Sequence, residues 1–448
     1  MDLHRAVTDG RVHHDGPVVE AAADDHGHLT HRRPSSVVEA GSARDVAAVL
    51  RLCTDRGIPV APRGQGHSTD GQAQAGGGVV IGTGALRAVE WDRDHRVRVQ
   101  AGALWSQVLD HTLQRGRAPR VLTDYLELSV GGTLSAGGLG GAGHRYGAQT
   151  DGVTELQVVT GAGEVVTCSP ADRAALFHAV LAGLGQCAVI TRATIETVPV
   201  PERLRRYVLE YPDPAALMAD QRRAAAGGRF AYIEGQALPA PGGGWRYVLE
   251  VVAYPDDHAD PGAEGVRIGD LGHRRGTEEV TDPTFAEFAH RMDEGVAYLR
   301  STGEWYDPHP WWNALLPGST AEAAVAEVFA ELTPADLGPS GLALLYPIAR
   351  PRTRLLRSPD EPQVFLLSLL KTASPGSGVP TAQAMVAANR RHYEKIRARG
   401  GFQYPVGSIP MSSEDWREHY GPHWPDLAAA KREYDPANVL TPGPGIPT

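Results

Sequence analysis

The residues best equipped for chemistry form the run Pro62-Arg63-Gly64-Gln65-Gly66-His67-Ser68-Thr69-Asp70-Gly71-Gln72. It lies between two short apolar runs, residues 58–61 and 79–81, that read as strands. Gly64, Gly66 and Gly71 let the backbone approach a ligand closely and take positive φ, so successive N–H groups can converge on an anion. The His67 imidazole is held in mid-loop by backbone, not by a packed core. As a bare pattern it is a loop histidine, set in a ligand-binding turn or solvated in a tight surface turn.

Two carboxylates and an aromatic residue follow. Asp124, in Thr123-Asp124-Tyr125-Leu126, stands ahead of a glycine-dense segment, residues 129–152. It is either an acid–base group or a turn-capping Asp. Glu234, in Tyr232-Ile233-Glu234-Gly235, closes a strand pattern over 230–235, where a solvent-side acid is the plainest reading. Trp311, in Pro308-His309-Pro310-Trp311, suits a core or a pocket wall. Gly138-Leu139-Gly140-Gly141-Ala142-Gly143 spells the dinucleotide fingerprint. That fingerprint needs a strand before it and a helix after it. Residues 144–152 hold breakers and start no helical period, so a loop lying against a flat ring system is expected instead.

Residues 63–68 with Gly71-Gln72-Ala73-Gln74-Ala75 resemble the flavin-attachment loop of the cytokinin dehydrogenases. These are FAD enzymes of the vanillyl-alcohol oxidase / p-cresol methylhydroxylase (VAO/PCMH) fold. Further matches follow in order at 123–135, 161–168, 232–235, 308–311 and 435–443, covering most of the sequence. The first two are specific.

The resemblance implies FAD held by Pro62, Gly64, Gln65, Gly66, His67, Ser68, Gln72, Asp124, Ser129, Ser135, Leu139, Val189 and Ile190. It implies a covalent bond from His67 to the 8α carbon of the flavin. A second, cysteinyl link needs a cysteine in 137–147, which has none, so one link is expected. Asp124 matches the family's catalytic carboxylate, accepting a hydrogen bond from a substrate amine as hydride leaves for flavin N5. Glu234 is implied to hydrogen-bond a purine ring and Trp311 to wall the pocket. Two departures concern the substrate. Thr441-Pro442-Gly443-Pro444 stands where the family usually has Ser-Pro-Gly-Gln, and Ser408-Ile409-Pro410 lacks the phenol of the family's Tyr-Leu-Pro.

The elements that must position these groups read as follows. Ser42-Ala43-Arg44-Asp45 is a capping box before apolar residues at helical spacing, with Gly57 as the stop. A strand at 97–102, a helix at 104–114, a hairpin over 155–167, a helix at 176–184 and a strand at 188–195 complete a first unit. Pro199 and Pro201 mark a boundary. Beyond it, strands at 206–211, 230–235, 247–252, 342–348 and 364–370 alternate with helices at 214–226, 322–332 and 382–399. One sheet with helices segregated to a face is an α+β arrangement. The expectation is therefore a two-domain α+β fold. Residues 1–200 and a C-terminal return, 411–448, form the FAD domain. Residues 201–410 form a substrate domain with an antiparallel sheet.

At 448 residues the protein exceeds one ordinary core. A net charge of −10 argues against nucleic acid or an anionic membrane as partner. Cys53, Cys168 and Cys187 fit neither a disulfide framework nor metal-ligand spacing, and residues 1–34 show no apolar leader. A cytoplasmic enzyme is expected, with a small-molecule substrate, no metal, and oxygen or a quinone-like electron acceptor. Two readings stay open: a covalent-flavin oxidase of another amine, alcohol or secondary-metabolite intermediate, and a flavin-binding protein without turnover.

Overall fold

Ser42 accepts a hydrogen bond from the Asp45 backbone N–H and starts the helix Ala43–Thr54, whose apolar spacing buries Val46, Val49, Leu50 and Cys53. This computed structural model describes residues 3–93, 95–255 and 264–447. After Gly57, at φ 61°, the backbone enters the strand Val60–Arg63. That strand is parallel to Val79–Gly82, itself parallel to Ser36–Glu39, with Arg11–His13 antiparallel at the edge. The first strand begins two residues later than the sequence suggests, so Gly64 is the first residue of the His67 loop. From far along the sequence, Val60 N–H donates to Val439 and Thr441 N–H donates to Val60, both at 2.7 Å. The C-terminal segment thus lies on the sheet that launches the loop.

A second sheet orders Val89–Arg93, Arg96–Gln100, Ala188–Pro199, Val153–Thr160 and Val165–Cys168, with Arg117–Pro119 paired to the end of Ala188–Pro199. The glycine-dense segment that crosses it corrects the loop expectation. It forms the helix Val130–Ala136, a turn at Gly137 and Gly138, the short helix Gly143–Tyr146 and a 3-10 turn, Gln149–Gly152. The cause is tertiary. Ala182 and Leu184 take positive φ and donate their N–H groups to the carbonyls of Leu134 and Ser135 at 2.9 Å. These contacts satisfy helix-end carbonyls that have no partner within the helix. The same strain ends the preceding helix at Val180, short of the expected 184.

Among the described residues the third sheet has eight antiparallel strands, in the order Glu279–Thr281, Arg205–Tyr211, Trp245–Ala253, Tyr232–Pro239, Leu342–Ala349, Gln363–Leu370, Trp312–Pro317 and Phe402–Gln403. Trp312–Pro317 escapes a sequence reading because it is buried throughout without alternation, while Asn313 and Pro317 break the continuous apolar run that would otherwise mark a buried strand. The helices Pro214–Gly227, Ala321–Glu331 and Ala382–Ala398 cover one face, where Ile233 and Ala237 join the core. Side chains alternate along a strand, so Tyr232, Glu234 and Gln236 belong to the opposite face. Among the described residues no helix is long and apolar enough to cross a membrane.

Candidate active site

The His67 loop is bare backbone at close range. A Cβ on Gly64 would stand 1.9 Å from Ser129 Oγ, and one on Gly66 would stand 2.2 Å from the Arg63 guanidinium. The N–H groups from Gly64 to Ser68 have no acceptor among the described residues. At the far end of the helix Val130–Ala136, about 10 Å long at 1.5 Å per residue, lies the turn at Gly137 and Gly138. There Gln149 is 4% exposed with both amide atoms unpartnered. A Cβ on Gly138 would come within 2.0 Å of its Oε1. Free donors at one end and an unpaired buried amide at the other suit a ligand with an anionic part and a polar ring. These residues fit FAD.

His67 lies within a stack of imidazoles. Its ring faces His26 with centroids 4.0 Å apart, and His26 faces His309 at 4.3 Å. Tyr125, Trp305 and Trp311 close around it at 5.2, 5.7 and 5.7 Å. Backbone ties fix the stack: His26 N–H donates to Gly66 O and His309 N–H to Gly27 O, both at 2.9 Å. Asp25 accepts from Gly27 N and Gly71 N at 3.0 and 2.7 Å. Burial, then the neighbouring His309 and Arg300, pushes His67 down to about 3, so its imidazole is neutral with its lone pair available. The faces stack instead of pointing their nitrogens inward, and no metal-holding group of His, Cys, Asp or Glu occurs among the described residues.

One residue before Tyr125, Asp124 Oδ1 accepts from the Tyr232 hydroxyl at 2.6 Å and from Arg291 Nη2 at 2.7 Å. Tyr232 also contacts Glu234 Oε2 at 2.5 Å, and Gln236 Nε2 donates to Glu234 Oε1 at 2.8 Å. Glu234 is 2% exposed, which overturns the solvent-side reading of this strand acid. Burial first, then the Asp124 charge, raises its carboxyl well above the usual range, against the opposing pull of Arg291. Glu250 stands opposite Glu234 across the ladder. Such a like-charge pair is unfavourable unless cations intervene. Arg206 and Arg291 both bind Glu250.

The remaining expected residues divide. Trp311 stands edge-on to His26 and half-buried against the stack, whereas its neighbour Trp312 takes the core position. Ser129 caps no N–H of its own helix and faces Gly64 and Gly132. Ser135 donates back to Gly131 O at 2.7 Å. Gln72 uses its amide on Gly407 O and Asp70 N, bracing the loop. Pro62 lies on the strand that launches the loop, and Gln65 is exposed. Leu139 packs with Tyr346 and Leu356, while Val189 and Ile190 lie within core strands. His26, Tyr232's junction role, Arg291 and Gln149 escape a sequence reading. Only His26 leaves a trace, in a His-rich lead-in whose polar character conceals it.

Both departures near the C-terminus act as braces. Ser408 Oγ donates to Thr69 O at 2.8 Å. Trp416 Nε1 donates to Pro444 O at 3.0 Å, and Gly443 packs against the backbone of Gly71 and Gln72. Tyr404, four residues before Ser408, sets a phenol on the glycine turn by accepting from Gly138 N at 3.1 Å.

Residues 34–169 match the family described as FAD binding domain, and residues 234–446 the one described as "Cytokinin dehydrogenase 1, FAD and cytokinin binding". The protein is 39% identical over 444 residues to an uncharacterised oxidoreductase of the fasciation locus of Rhodococcoides fascians, covering 97% of its own length and 98% of the other. It is 35% identical over 486 residues to cytokinin dehydrogenase 10 of Oryza sativa subsp. japonica, covering 97% and 88%. The fold is similar to that of 6-hydroxy-D-nicotine oxidase from Arthrobacter nicotinovorans, with a TM-score of 0.73 at 22% identity over 96% of each protein.

Proposed function

The protein belongs to the cytokinin dehydrogenase family of FAD-dependent oxidoreductases, and on that premise we propose that it oxidises N6-isoprenoid adenines at the bond joining N6 to the first isoprenoid carbon. Residues 1–200 and 411–448 would hold the cofactor and residues 201–410 the substrate. Bound FAD supplies the hydride acceptor, flavin N5. His67 carries it covalently, as a neutral imidazole in a backbone-held loop.

One observation carries the catalytic part. Asp124 Oδ1 is pinned by Tyr232 and Arg291, while Oδ2 has no donor among the described residues. The side chain is 20% exposed, beside the Tyr125 ring that meets His67. A fixed carboxylate with one free oxygen can accept the substrate's N6–H. As it does so, the adjacent C–H becomes a better hydride donor, and the proton passes to Asp124. Water then hydrolyses the imine product to adenine and an unsaturated aldehyde. Glu234 and Trp311 line the substrate side. The electrons leave to oxygen or a quinone-like molecule. Three buried free cysteines accord with a reducing, cytoplasmic setting.

Anaerobic mixing with N6-isopentenyladenine tests this reading, and the flavin should bleach within the enzyme's turnover time. A wild-type flavin that ignores a panel of N6-substituted adenines would refute the purine substrate. Pro444 and the Ser408 segment favour a second reading, another amine or alcohol on the same covalent flavin. Bleaching by such a compound alone would establish it.

A further inference from the structure

Asn389 is fully buried in the interior of the helix Ala382–Ala398, whose other buried residues include Met385, Tyr393 and Ile396. Asparagine is a poor helix former, so the reason for its place lies outside the helix. Its amide meets four groups from three other segments. Nδ2 donates to the carbonyls of Pro310 and Ser408 at 3.0 Å and of Trp311 at 3.3 Å, so one of its two hydrogens is shared. Oδ1 accepts from Lys371 Nζ at 2.9 Å. Lys371 is 1% exposed and directly follows the strand Gln363–Leu370. Burial draws its pKa down to about 8, which leaves an ammonium at neutral pH.

An ammonium only donates, and a carbonyl only accepts. The amide can therefore stand one way alone. Turned over, it would set N–H against N–H at Lys371 and oxygen against three carbonyls. Lys371 thus fixes the orientation of Asn389, and Asn389 fixes three loop carbonyls that a buried position must satisfy.

Those carbonyls give the amide its reach. Trp311 stands against the imidazole stack, and its carbonyl also takes the Ser408 N–H at 2.8 Å. Ser408 Oγ lies 2.9 Å from the hydroxyl of Thr69, two residues past His67. His309, one residue before Pro310, stacks on His26, and its Nδ1 is 3.3 Å from Thr372 Oγ1, next to Lys371. One buried amide therefore joins the segment that carries Trp311 to the segment that leans on the His67 loop.

We propose that Asn389, oriented by Lys371, is the positioning residue that keeps the Trp311 wall in register with the His67 loop, and that it sets substrate affinity without touching substrate or flavin. Asn389 has no exposed surface to offer a ligand, so its influence passes through the three carbonyls. The inference rests on the reading of Trp311 as a wall of the substrate pocket.

Asn389→Asp tests it in the flavin-loaded enzyme. The carboxylate still meets Lys371, now as an ion pair, but has no hydrogen for the carbonyls. With N6-isopentenyladenine, KM should rise about tenfold while kcat stays within about twofold, the pattern of lost uniform binding. Lys371→Met should move KM the same way by less. In an Asn389→Leu background Lys371→Met should raise KM no further, because nothing remains to orient. An additive rise would overturn the orienting role of Lys371. A wild-type KM in Asn389→Asp, or a fall in kcat at unchanged KM, would overturn the inference. Global unfolding of both Asn389→Asp and Lys371→Met would make the pair a stability element and overturn it as well. A second readout needs no substrate. The visible circular dichroism of the bound flavin should change in Asn389→Asp at unchanged flavin content and unchanged far-ultraviolet signal. If N6-isopentenyladenine leaves the wild-type flavin oxidised, the substrate reading fails and this signal alone decides. An unchanged signal would then overturn the inference.

Discussion

His26 and His67 lie face to face, with ring centroids 4.0 Å apart and planes inclined by 14°. Two imidazoles at this distance cannot both be protonated without strong repulsion. Burial already disfavours charge on either ring, and His309 on the far face adds to the effect. The stack therefore keeps His67 neutral and fixes its plane.

The neutral His67 ring is expected to carry the flavin. Intact-protein mass spectrometry should show the added mass of FAD, absent in His67→Ala. A wild-type mass equal to that of the bare polypeptide would end this assignment.

The stack makes the protein acid-sensitive. Burial, with the repulsion a second proton would meet from His67 and His309, holds His26 well below its ordinary 6.5. As pH falls below about 6.5, the unfolded polypeptide binds a proton that the folded form refuses, so stability drops with acidification. The slope from one such group approaches about 1.4 kcal/mol per pH unit. His26→Phe preserves a stacked ring and removes the titration. Urea unfolding of His26→Phe between pH 6.5 and 5 should therefore show a slope shallower by about that amount, and an unchanged slope would contradict it.

Asp124→Asn keeps the shape of the side chain and loses the base. Stopped-flow reduction of the flavin by a turned-over substrate should slow by about 10²–10⁴, the range for a positioned acid–base group. Bound flavin should stay near the wild-type level. Loss of the cofactor instead would make Asp124 a structural residue.

Gly64→Ala tests the cradle. The added Cβ would meet Ser129 Oγ at 1.9 Å, at a position whose φ does not demand glycine. Flavin content, read from absorbance per protein, should fall while the far-ultraviolet circular dichroism stays unchanged. Adding Ser129→Gly removes the obstructing hydroxyl and should restore flavin. If Gly64→Ala alone fills normally, the bare backbone at Gly64 is not a cofactor contact.

Local pattern makes much of this protein legible. The capping box at Ser42, the glycines around His67 and the alternating or continuous apolar runs of most strands in the third sheet depend on neighbours within a few residues. They place the α+β elements and the His67 loop. The pattern fails where a strand is buried throughout yet broken by polar and proline residues, as Trp312–Pro317 is by Asn313 and Pro317, and where distant partners stabilise an unlikely helix, as in Val130–Ala136.

By itself the sequence determined the residues able to do chemistry and their order. Their electrostatic state came from the tertiary structure. Asp124 and Arg291 are 167 residues apart in sequence and 2.7 Å apart in space, and His26 meets His67 only because the lead-in folds back over the loop. Whether a carboxyl is charged depends on its burial and on the donors within about 3 Å. No spacing along a polypeptide encodes these quantities, so the contacts of Tyr232 with Asp124, Glu234 and Arg291 exist only once the two sheets and the segment bearing Arg291 have packed together.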